Sequence, residues 1–268
     1  MPQQTQCPQP RLTAGDSPGR PQSVHWLGVS STGSRRMADG AAQTVFLFDV
    51  DNTLLDNDTL QSDLSSYLER EFGRESRDRY WAIFEDLRTE LGYADYLGAL
   101  QRYRLENLDD PQLLTVSLFL LDYPFAQRLY EGALAALARC ARLGPTVILS
   151  DGDVVFQPRK VQRAGLWEAV EGRVLIYLHK EAMLPAIERR YPAAHYVMID
   201  DKLRILAAMK QTWGERLTTV FVRQGHYALD ARERARHRAA DLAIGSIGEL
   251  AHEDFPLASG VSRGQRLG

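Results

Sequence analysis

The chain has 268 residues, 44% hydrophobic and 25% charged, which is ordinary for a globular protein of one large domain or one domain with a sizeable insertion. Its formal net charge of -3 offers no bulk attraction to nucleic acid or anionic membrane, and no apolar run reaches the length of a membrane span. Two cysteines, Cys7 and Cys140, are too few for a disulfide framework, which favours a reducing, cytoplasmic location.

Both ends of the chain differ in composition from its middle. Residues 1–43 are rich in Gln, Pro, Ser, Gly and Arg, with only scattered apolar residues, and they lack the continuous apolar core of a secretory signal. We predict that this segment is a disordered tail, because it cannot bury enough apolar surface to fold. Residues 253–268 are predicted to form a second, C-terminal tail.

The first predicted strand ends at two acids. The apolar run Val45-Phe46-Leu47-Phe48 is typical of a buried parallel strand, and Asp49 and Asp51 follow it. We expect the chain to turn there and to place both carboxylates at the carboxyl end of the strand, where open α/β sheets bind ligands. Carboxylates so close repel unless one is protonated or a cation lies between them, and Mg²⁺ prefers such oxygen ligands. An acidic turn that merely closes the strand is the alternative.

Residues 59–121 show helical rather than strand periodicity. Apolar residues recur at spacings of three and four, and a further apolar stretch runs from Leu113 to Leu121. The three faces are Leu60, Leu64, Tyr67 and Leu68; Tyr80, Phe84, Leu87 and Leu91; and Tyr96, Leu100 and Tyr103. This segment is predicted to be a small helical bundle inserted after the first strand.

The rest of the chain alternates between helices and strands. Further strands are predicted at 146–150, 174–178, 196–199, 218–222 and 241–244, with helices that include 127–143, 181–190 and 229–240. Such alternation predicts an α/β fold with a doubly wound parallel sheet.

Polar residues end four of these strands. Ser150, Lys180 and the pair Asp200-Asp201 stand where Asp49 stands after the first strand. Each alone has a structural explanation, as a helix cap, a solvated lysine or acids that favour a helix start. Their recurrence at one sheet edge predicts a site instead. Lys160 and Lys202 are alternatives to Lys180, which is favoured because it follows a strand directly.

The segment Asp49-Val50-Asp51-Asn52-Thr53 resembles the first motif of the haloacid dehalogenase superfamily, the aspartate-nucleophile phosphohydrolases. Ser150, Lys180 and Asp200-Asp201 resemble the second, third and fourth motifs, over about residues 44–250. The resemblance implies a Rossmann-type core, formed by 44–58 and 122–252, with the helical segment 59–121 as an inserted cap.

The resemblance also implies roles for these residues. Asp49 would attack phosphorus to form an aspartyl-phosphate, and Asp51 would donate a proton to the leaving oxygen and then take one from water. The residues expected to bind the phosphoryl group are Thr53, Ser150, Asp151 and Lys180. Those expected to bind Mg²⁺ are Asp49, Asp51 through its backbone carbonyl, Asp200 and Asp201, with Asp201 favoured as the direct ligand of the last pair.

The sequence therefore predicts a Mg²⁺-dependent phosphatase that acts on a small phosphorylated metabolite, without a nucleic-acid or membrane partner. One alternative is a phosphomutase, in which Arg88, Tyr93 or Arg102 of the cap would help to deliver a substrate hydroxyl. Another is a non-catalytic regulatory module that binds a phosphorylated ligand. The sequence indicates neither the particular substrate nor the oligomeric state.

Overall fold

The computed structural model describes residues 42–253 and residue 255. The predicted N-terminal tail lies outside these residues except for its last two positions, which open the first strand two residues earlier than the predicted core. All but two residues of the predicted C-terminal tail, Glu253 and Phe255, also lie outside them. Within the described part of the chain, no helix is long and apolar enough to cross a membrane.

Six parallel strands form one sheet, as the alternation of elements predicts. They are β1 (Ala42–Phe48), β2 (Thr146–Asp151), β3 (Val174–Tyr177), β4 (Ala193–Asp200), β5 (Leu217–Val222) and β6 (Leu242–Ile244). Their order is β3-β2-β1-β4-β5-β6, with every neighbouring pair parallel. The chain builds outward from β1 in one direction and then from β4 in the other. The carboxyl ends of β1 and β4 thus flank the switch point at which open α/β sheets bind ligands.

Helices connect the strands and form the insertion. They are α1 (Asn57–Leu91), α2 (Tyr96–Glu106), α3 (Leu113–Asp122), α4 (Ala133–Leu143), α5 (Phe156–Arg163), α6 (Leu166–Ala169), α7 (Leu184–Arg190), α8 (Leu203–Trp213), α9 (Gly225–Leu229) and α10 (Ala231–Arg236). Short 3₁₀ turns add Phe125–Arg128, Lys180–Ala182, Gly214–Arg216 and Ile247–Ala251.

Three predicted helices have different bounds in the structure. The helix predicted at 127–143 begins only at Ala133, because Gly132 has a left-handed backbone (φ 80°) instead of the right-handed conformation of a helix. The helix predicted at 181–190 is a 3₁₀ turn followed by α7, with a proline in the first turn of α7. The helix predicted at 229–240 is the pair α9 and α10, separated by the extended residue Asp230.

Apolar residues cover both faces of the sheet. Phe46 and Phe48 of β1 pack on one face, whereas Val45 and Leu47 pack on the other, as the two-residue period of a strand requires. All four side chains are buried. A strand buried on both faces reads as a continuous apolar run, which is why the sequence identified β1.

Helices α1 to α3 make up the inserted segment between β1 and β2 that the sequence predicts to be a cap. The predicted apolar faces are buried or packed against the core, and α1 bends at Gly73, whose backbone is not helical. Tyr96 of α2 lies 5.2 Å from Phe156 of α5, measured between ring centroids, and Phe156 lies 5.8 Å from Phe125. The contact between Tyr96 and Phe156 joins the predicted cap to the core, and Phe125 packs on Phe156 within the core.

A tight turn links β1 to the cap. Asn52 has a left-handed backbone (φ 61°), and the Leu54 and Leu55 amides both donate to the Val50 carbonyl at 2.9 and 3.0 Å. The Asn52 side chain accepts a hydrogen bond from the Asn57 amide at 3.0 Å and donates to Asp58 at 2.9 Å. The turn is therefore tied to the start of α1.

Gly225 packs against this turn, and its replacement tests how closely. A Cβ atom at Gly225 (φ 69°) would lie 2.4 Å from Asn52 Cβ, whereas one at Gly165 (φ 76°) would meet nothing within 4 Å. Both substitutions by Ala carry left-handed strain of about 1 kcal/mol, and we expect Gly225→Ala to lose about 1–3 kcal/mol more through overpacking. Chemical denaturation measures both losses. Equal losses of stability for Gly225→Ala and Gly165→Ala would show that the turn at Asn52 moves to accommodate the added methyl group without cost.

Candidate active site

Asp49 and Lys180 form a buried ion pair at the carboxyl end of β1. The Asp49 amide donates to the Ile199 carbonyl of β4 at 3.0 Å, and its Oδ1 lies 2.5 Å from Lys180 Nζ. Lys180 Nζ also lies 2.7 Å from Asp200 Oδ2. Burial alone would lower the pKa of Lys180, but the charges of Asp200 and Asp49 outweigh it and raise that pKa above its ordinary value. The ammonium therefore stays charged between two carboxylates.

Asp151 fixes the 3₁₀ turn that carries Lys180. Its Oδ1 accepts a hydrogen bond from the Lys180 amide at 2.7 Å. Burial raises the pKa of the Asp151 carboxyl, and the charge of Lys180 opposes that rise. The structure thus shows Asp151 as a residue that positions Lys180, and its predicted contact with a phosphoryl group stays a prediction.

Three buried acids form a cluster suited to a metal ion. Oxygen atoms of Asp49, Asp200 and Asp201 all lie within 4.8 Å of one another. Asp200 Oδ1 accepts from the Lys202 amide at 2.8 Å, but neither carboxylate oxygen of Asp201 has a hydrogen-bond partner in the described part of the chain. Burial raises the pKa of Asp200 and of Asp201.

Such an arrangement is costly without a further cation. A buried carboxylate that lacks a partner loses its hydration without compensation, and a hard divalent ion with oxygen ligands supplies that compensation. The free oxygens of Asp201 are on the residue that the sequence favoured as the direct ligand. Asp51 lies outside the carboxylate cluster, so its predicted contribution remains that of its backbone carbonyl.

Asp51 is held by a different lysine. Its Oδ1 lies 2.7 Å from Nζ of Lys160, which is completely buried, and Lys160 also donates to Asn57 Oδ1 at 3.1 Å. Gln157 Nε2 lies 3.4 Å from Asp51 Oδ2. The ring of Phe156 lies 5.1 Å from the Lys160 ammonium. The two acids of the turn are thus directed to two separate cations.

The two predicted hydroxyl groups lie beside these acids. Thr53 Oγ1 donates to Asp49 Oδ2 at 3.4 Å, and both residues are buried. Ser150 Oγ, at the end of β2, accepts from Gln157 Nε2 at 2.9 Å. Because Gln157 also approaches Asp51, it links the end of β2 to the turn after β1.

The structure separates the three candidate lysines. Within the described residues only Lys180 contacts Asp49, while Lys160 contacts Asp51 and the Lys202 ammonium lies 5.3 Å from the ring centroid of Tyr227. Sequence reasoning weighed Lys160 only as a substitute for Lys180 and did not single out Gln157. A signal was present, since both are polar residues on the buried face of α5.

A cavity of about 280 Å³ lies between the cap and the carboxyl edge of the sheet. Asp51, Asp151 and Asp201 line it at the sheet edge, which we call the floor. The cap side is lined by Asn57, Gln61, Phe84, Arg88, Gly92, Tyr93, Ala94 and Tyr96. Two of the three predicted cap candidates therefore face the cavity. Arg102 does not, and it pairs with Glu90 at 2.7 Å.

The comparisons with known proteins agree with this architecture. A family model described as haloacid dehalogenase-like hydrolase matches residues 43–211. The chain is 64% identical to a haloacid dehalogenase-like hydrolase from Burkholderia xenovorans whose crystal structure is known, with a TM-score of 0.77 over 80% of this chain and 100% of that one. The comparison with curated proteins gave no match.

Two more distant structures share the fold. L-2-haloacid dehalogenase from Xanthobacter autotrophicus is 19% identical, with a TM-score of 0.53 over 78% of this chain and 97% of that one. A HAD-hydrolase from Bacillus subtilis, bound to magnesium, is 15% identical with the same TM-score and coverage. The parallel sheet, the polar strand ends, the match over residues 43–211 and the 64% identity together show that the chain belongs to the haloacid dehalogenase-like hydrolases.

Proposed function

We propose that the chain is a Mg²⁺-dependent phosphatase that hydrolyses small phosphate monoesters through an aspartyl-phosphate on Asp49. The observation that carries the proposal is the separation of the two acids in the turn. Asp49 lies in the metal-type cluster against Lys180, whereas Asp51 lies against Lys160 and lines the cavity. This separation supports the assignment of nucleophilic attack to Asp49 and of proton transfer to Asp51.

Asp49 is proposed as the nucleophile. A phosphoryl group carries negative charge and repels a carboxylate, so attack requires cations beside it. Lys180 is one such cation. A Mg²⁺ ion held by Asp49, Asp200 and Asp201 would act as a Lewis acid and neutralise negative charge on the phosphoryl group. Thr53, which already donates to Asp49, and Ser150 are proposed to donate to the transferring oxygens.

Asp51 is proposed as the general acid and then the general base. An alkoxide leaves poorly unless it is protonated, and the water that cleaves the aspartyl-phosphate must lose a proton. A single carboxyl group serves both steps if it stays in place between them. Lys160 and Gln157 hold the Asp51 carboxylate through both of its oxygens. These two residues are therefore proposed to position Asp51 rather than to contact the substrate.

Dehalogenation is the rival hydrolytic reaction, since the Xanthobacter neighbour is a haloacid dehalogenase. A halide leaves without a proton and has no need of a second acid, yet Asp51 faces the cavity. The unpartnered carboxylate of Asp201 likewise favours metal-assisted phosphoryl transfer. At 19% identity the neighbour supports the fold alone, so we favour the phosphatase.

The expected partner is a small phosphorylated metabolite in the cytoplasm. The cavity of about 280 Å³ is slightly smaller than most ligand sites, which measure about 300–1,000 Å³, and it suits a phosphate group with a short carbon skeleton. Transfer to a second hydroxyl, as in a mutase, would use the cap residues Arg88 and Tyr93 that line the same cavity. Transfer of the phosphoryl group to a second hydroxyl of a phosphorylated substrate, without release of phosphate, would favour the mutase.

The first test is phosphate release from an aryl phosphate in Mg²⁺, alongside halide release from a 2-haloacid. We expect phosphate without halide, and Asp49→Asn should reduce turnover by at least about a thousandfold, because an amide is a far poorer nucleophile than a carboxylate. Asp86→Asn, at an exposed acid of the cap, is the matched control and should retain full activity. Halide release would contradict the proposal, and binding of phosphate esters without turnover would indicate the regulatory module.

The second test uses the leaving group to examine Asp51. Asp51→Asn should slow phosphorylation of the enzyme by an alkyl phosphate about 10²–10⁴-fold, and by an activated aryl phosphate much less, because only the alkoxide requires the proton. Lys160→Met, which removes one of the two groups that hold Asp51, should show the same pattern more weakly. Single-turnover rates provide the measurement. If Asp51→Asn slows phosphorylation of the enzyme equally with both substrates, Asp51 is not the general acid.

The third test concerns metal binding and pH. Burial raises the pKa of Asp200 and Asp201, so the metal-free fold retains protons there and loses stability as pH rises through those raised values. Mg²⁺ replaces the protons, and the increase in Tm on adding Mg²⁺ should therefore be larger at about pH 8 than at about pH 5. Asp201→Asn should reduce the increase at the higher pH. An equal increase at both values would contradict the metal assignment.

A further inference from the structure

Lys202 places a cation in the cavity that the proposed chemistry does not use. It follows Asp201 directly, its side chain is half-buried, and it lines the cavity. No described residue forms an ion pair or hydrogen bond with its ammonium. The ammonium lies 5.3 Å from the ring centroid of Tyr227. The charges of Asp201, Asp49 and Asp200 act on it, but from distances longer than that of an ion pair. Such an ammonium is available to an anion in the cavity.

Tyr227 connects Lys202 to a second cation on the cap. The Tyr227 hydroxyl accepts a hydrogen bond from Arg88 Nη1 of the cap, while the Lys202 ammonium lies near the Tyr227 ring. The other terminal nitrogen of Arg88 lies 2.8 Å from Glu85, an exposed pair that is expected to be weak. Arg88 can therefore turn part of its guanidinium towards a ligand without breaking a buried interaction.

Arg234 of α10 extends this cationic surface. It lines the same cavity, is exposed, and its side chain forms no ion pair or hydrogen bond with the described residues. Among the residues that the structure describes, the acids that line the cavity are all on the floor. Two of them, Asp51 and Asp151, are held by Lys160 and the Lys180 amide, and Asp201 belongs to the metal-type cluster. The side of the cavity away from the floor thus offers cations to its contents.

We propose that Lys202, Arg88 and Arg234 form a second anion subsite, which selects phosphate monoesters that carry another negatively charged group. The inference rests on the proposed phosphatase function, because it assigns the scissile phosphoryl group to the floor beside Asp49. The second group is a carboxylate or a second phosphate, both of which accept hydrogen bonds from ammonium and guanidinium groups. The cavity of about 280 Å³ suits a short spacer between the two anionic groups.

The role of Lys202 distinguishes a specific anion subsite from a surface that is basic in general. A phosphoryl group on the floor already has Lys180 and the metal-type cluster, so Lys202 is not needed to hold it. Loss of the Lys202 charge should therefore weaken binding of doubly anionic ligands selectively. A lysine that served only to balance the floor acids would affect every phosphate ester alike.

The test compares three glycerol-based ligands that differ at one end. Calorimetric titration of the Asp49→Asn variant in Mg²⁺ would use glycerol 3-phosphate, 3-phosphoglycerate and glycerol 1,3-bisphosphate. We expect one of the doubly anionic ligands to bind about 10- to 100-fold more tightly than glycerol 3-phosphate, as charged hydrogen bonds allow. The tighter of 3-phosphoglycerate and the bisphosphate then identifies the second group as carboxylate or phosphate.

Substitutions then assign the subsite. Adding Lys202→Met should remove most of that preference and change the affinity for glycerol 3-phosphate less than about threefold, while Lys202→Arg should retain the preference. Arg234→Gln should reduce the preference, and Arg232→Gln, an exposed residue of the same helix that does not line the cavity, should not. Equal binding of all three ligands, or equal weakening of all three by Lys202→Met, would overturn the inference.

Turnover distinguishes failure of this inference from failure of the proposed function. Hydrolysis of an aryl phosphate without any preference among the three ligands would support the phosphatase and refute the subsite. A preference that depends on Lys202, in a protein that hydrolyses no phosphate ester, would establish the subsite and refute the phosphatase.

Discussion

The Lys180 ammonium, buried between Asp49 and Asp200, is the interaction on which the site depends. One ammonium cannot compensate three clustered buried carboxylates, and Asp201 is left without a hydrogen-bond partner among the described residues. Removal of a partner from such a cluster leaves an uncompensated buried charge, which is among the most costly changes in a protein interior. The acids thus bring charge into the interior, and the site requires cations that balance it.

The sheet topology makes this concentration of charge possible. β1 lies next to β4, so the residues that follow Phe48 and Ile199 meet at one edge although 150 residues separate them in the chain. β2, on the other side of β1, brings Ser150 and the Asp151 carboxylate, and Asp151 in turn holds the Lys180 amide. The apolar strands provide the rigidity, and the strand ends provide the chemistry.

A chain of hydrogen bonds links the cap to Asp51 of the core. Lys160, which holds Asp51, donates to Asn57 at the start of α1. The Asn57 amide group donates to the Tyr96 hydroxyl at 3.1 Å, and Gln61 donates to the same hydroxyl at 3.0 Å. A movement of the cap would therefore change the position of the Asp51 carboxyl group, which is proposed to transfer protons. The residues that join the cap to the core are thus also linked to Asp51.

The sequence by itself determined the order and spacing of the strand-end acids, hydroxyl and lysine, and hence the parallel sheet and the cap. Apolar runs and helical periodicity are local signals, and the strand or helix they predict does not depend on distant residues. The sequence predicts the start of α4 too early, because the spacing of apolar residues does not indicate the left-handed backbone of Gly132. Only the tertiary structure decided which lysine serves which acid. Lys160, Lys180 and Lys202 are chemically alike, and packing alone assigns them to Asp51, to Asp49 and to the open cavity.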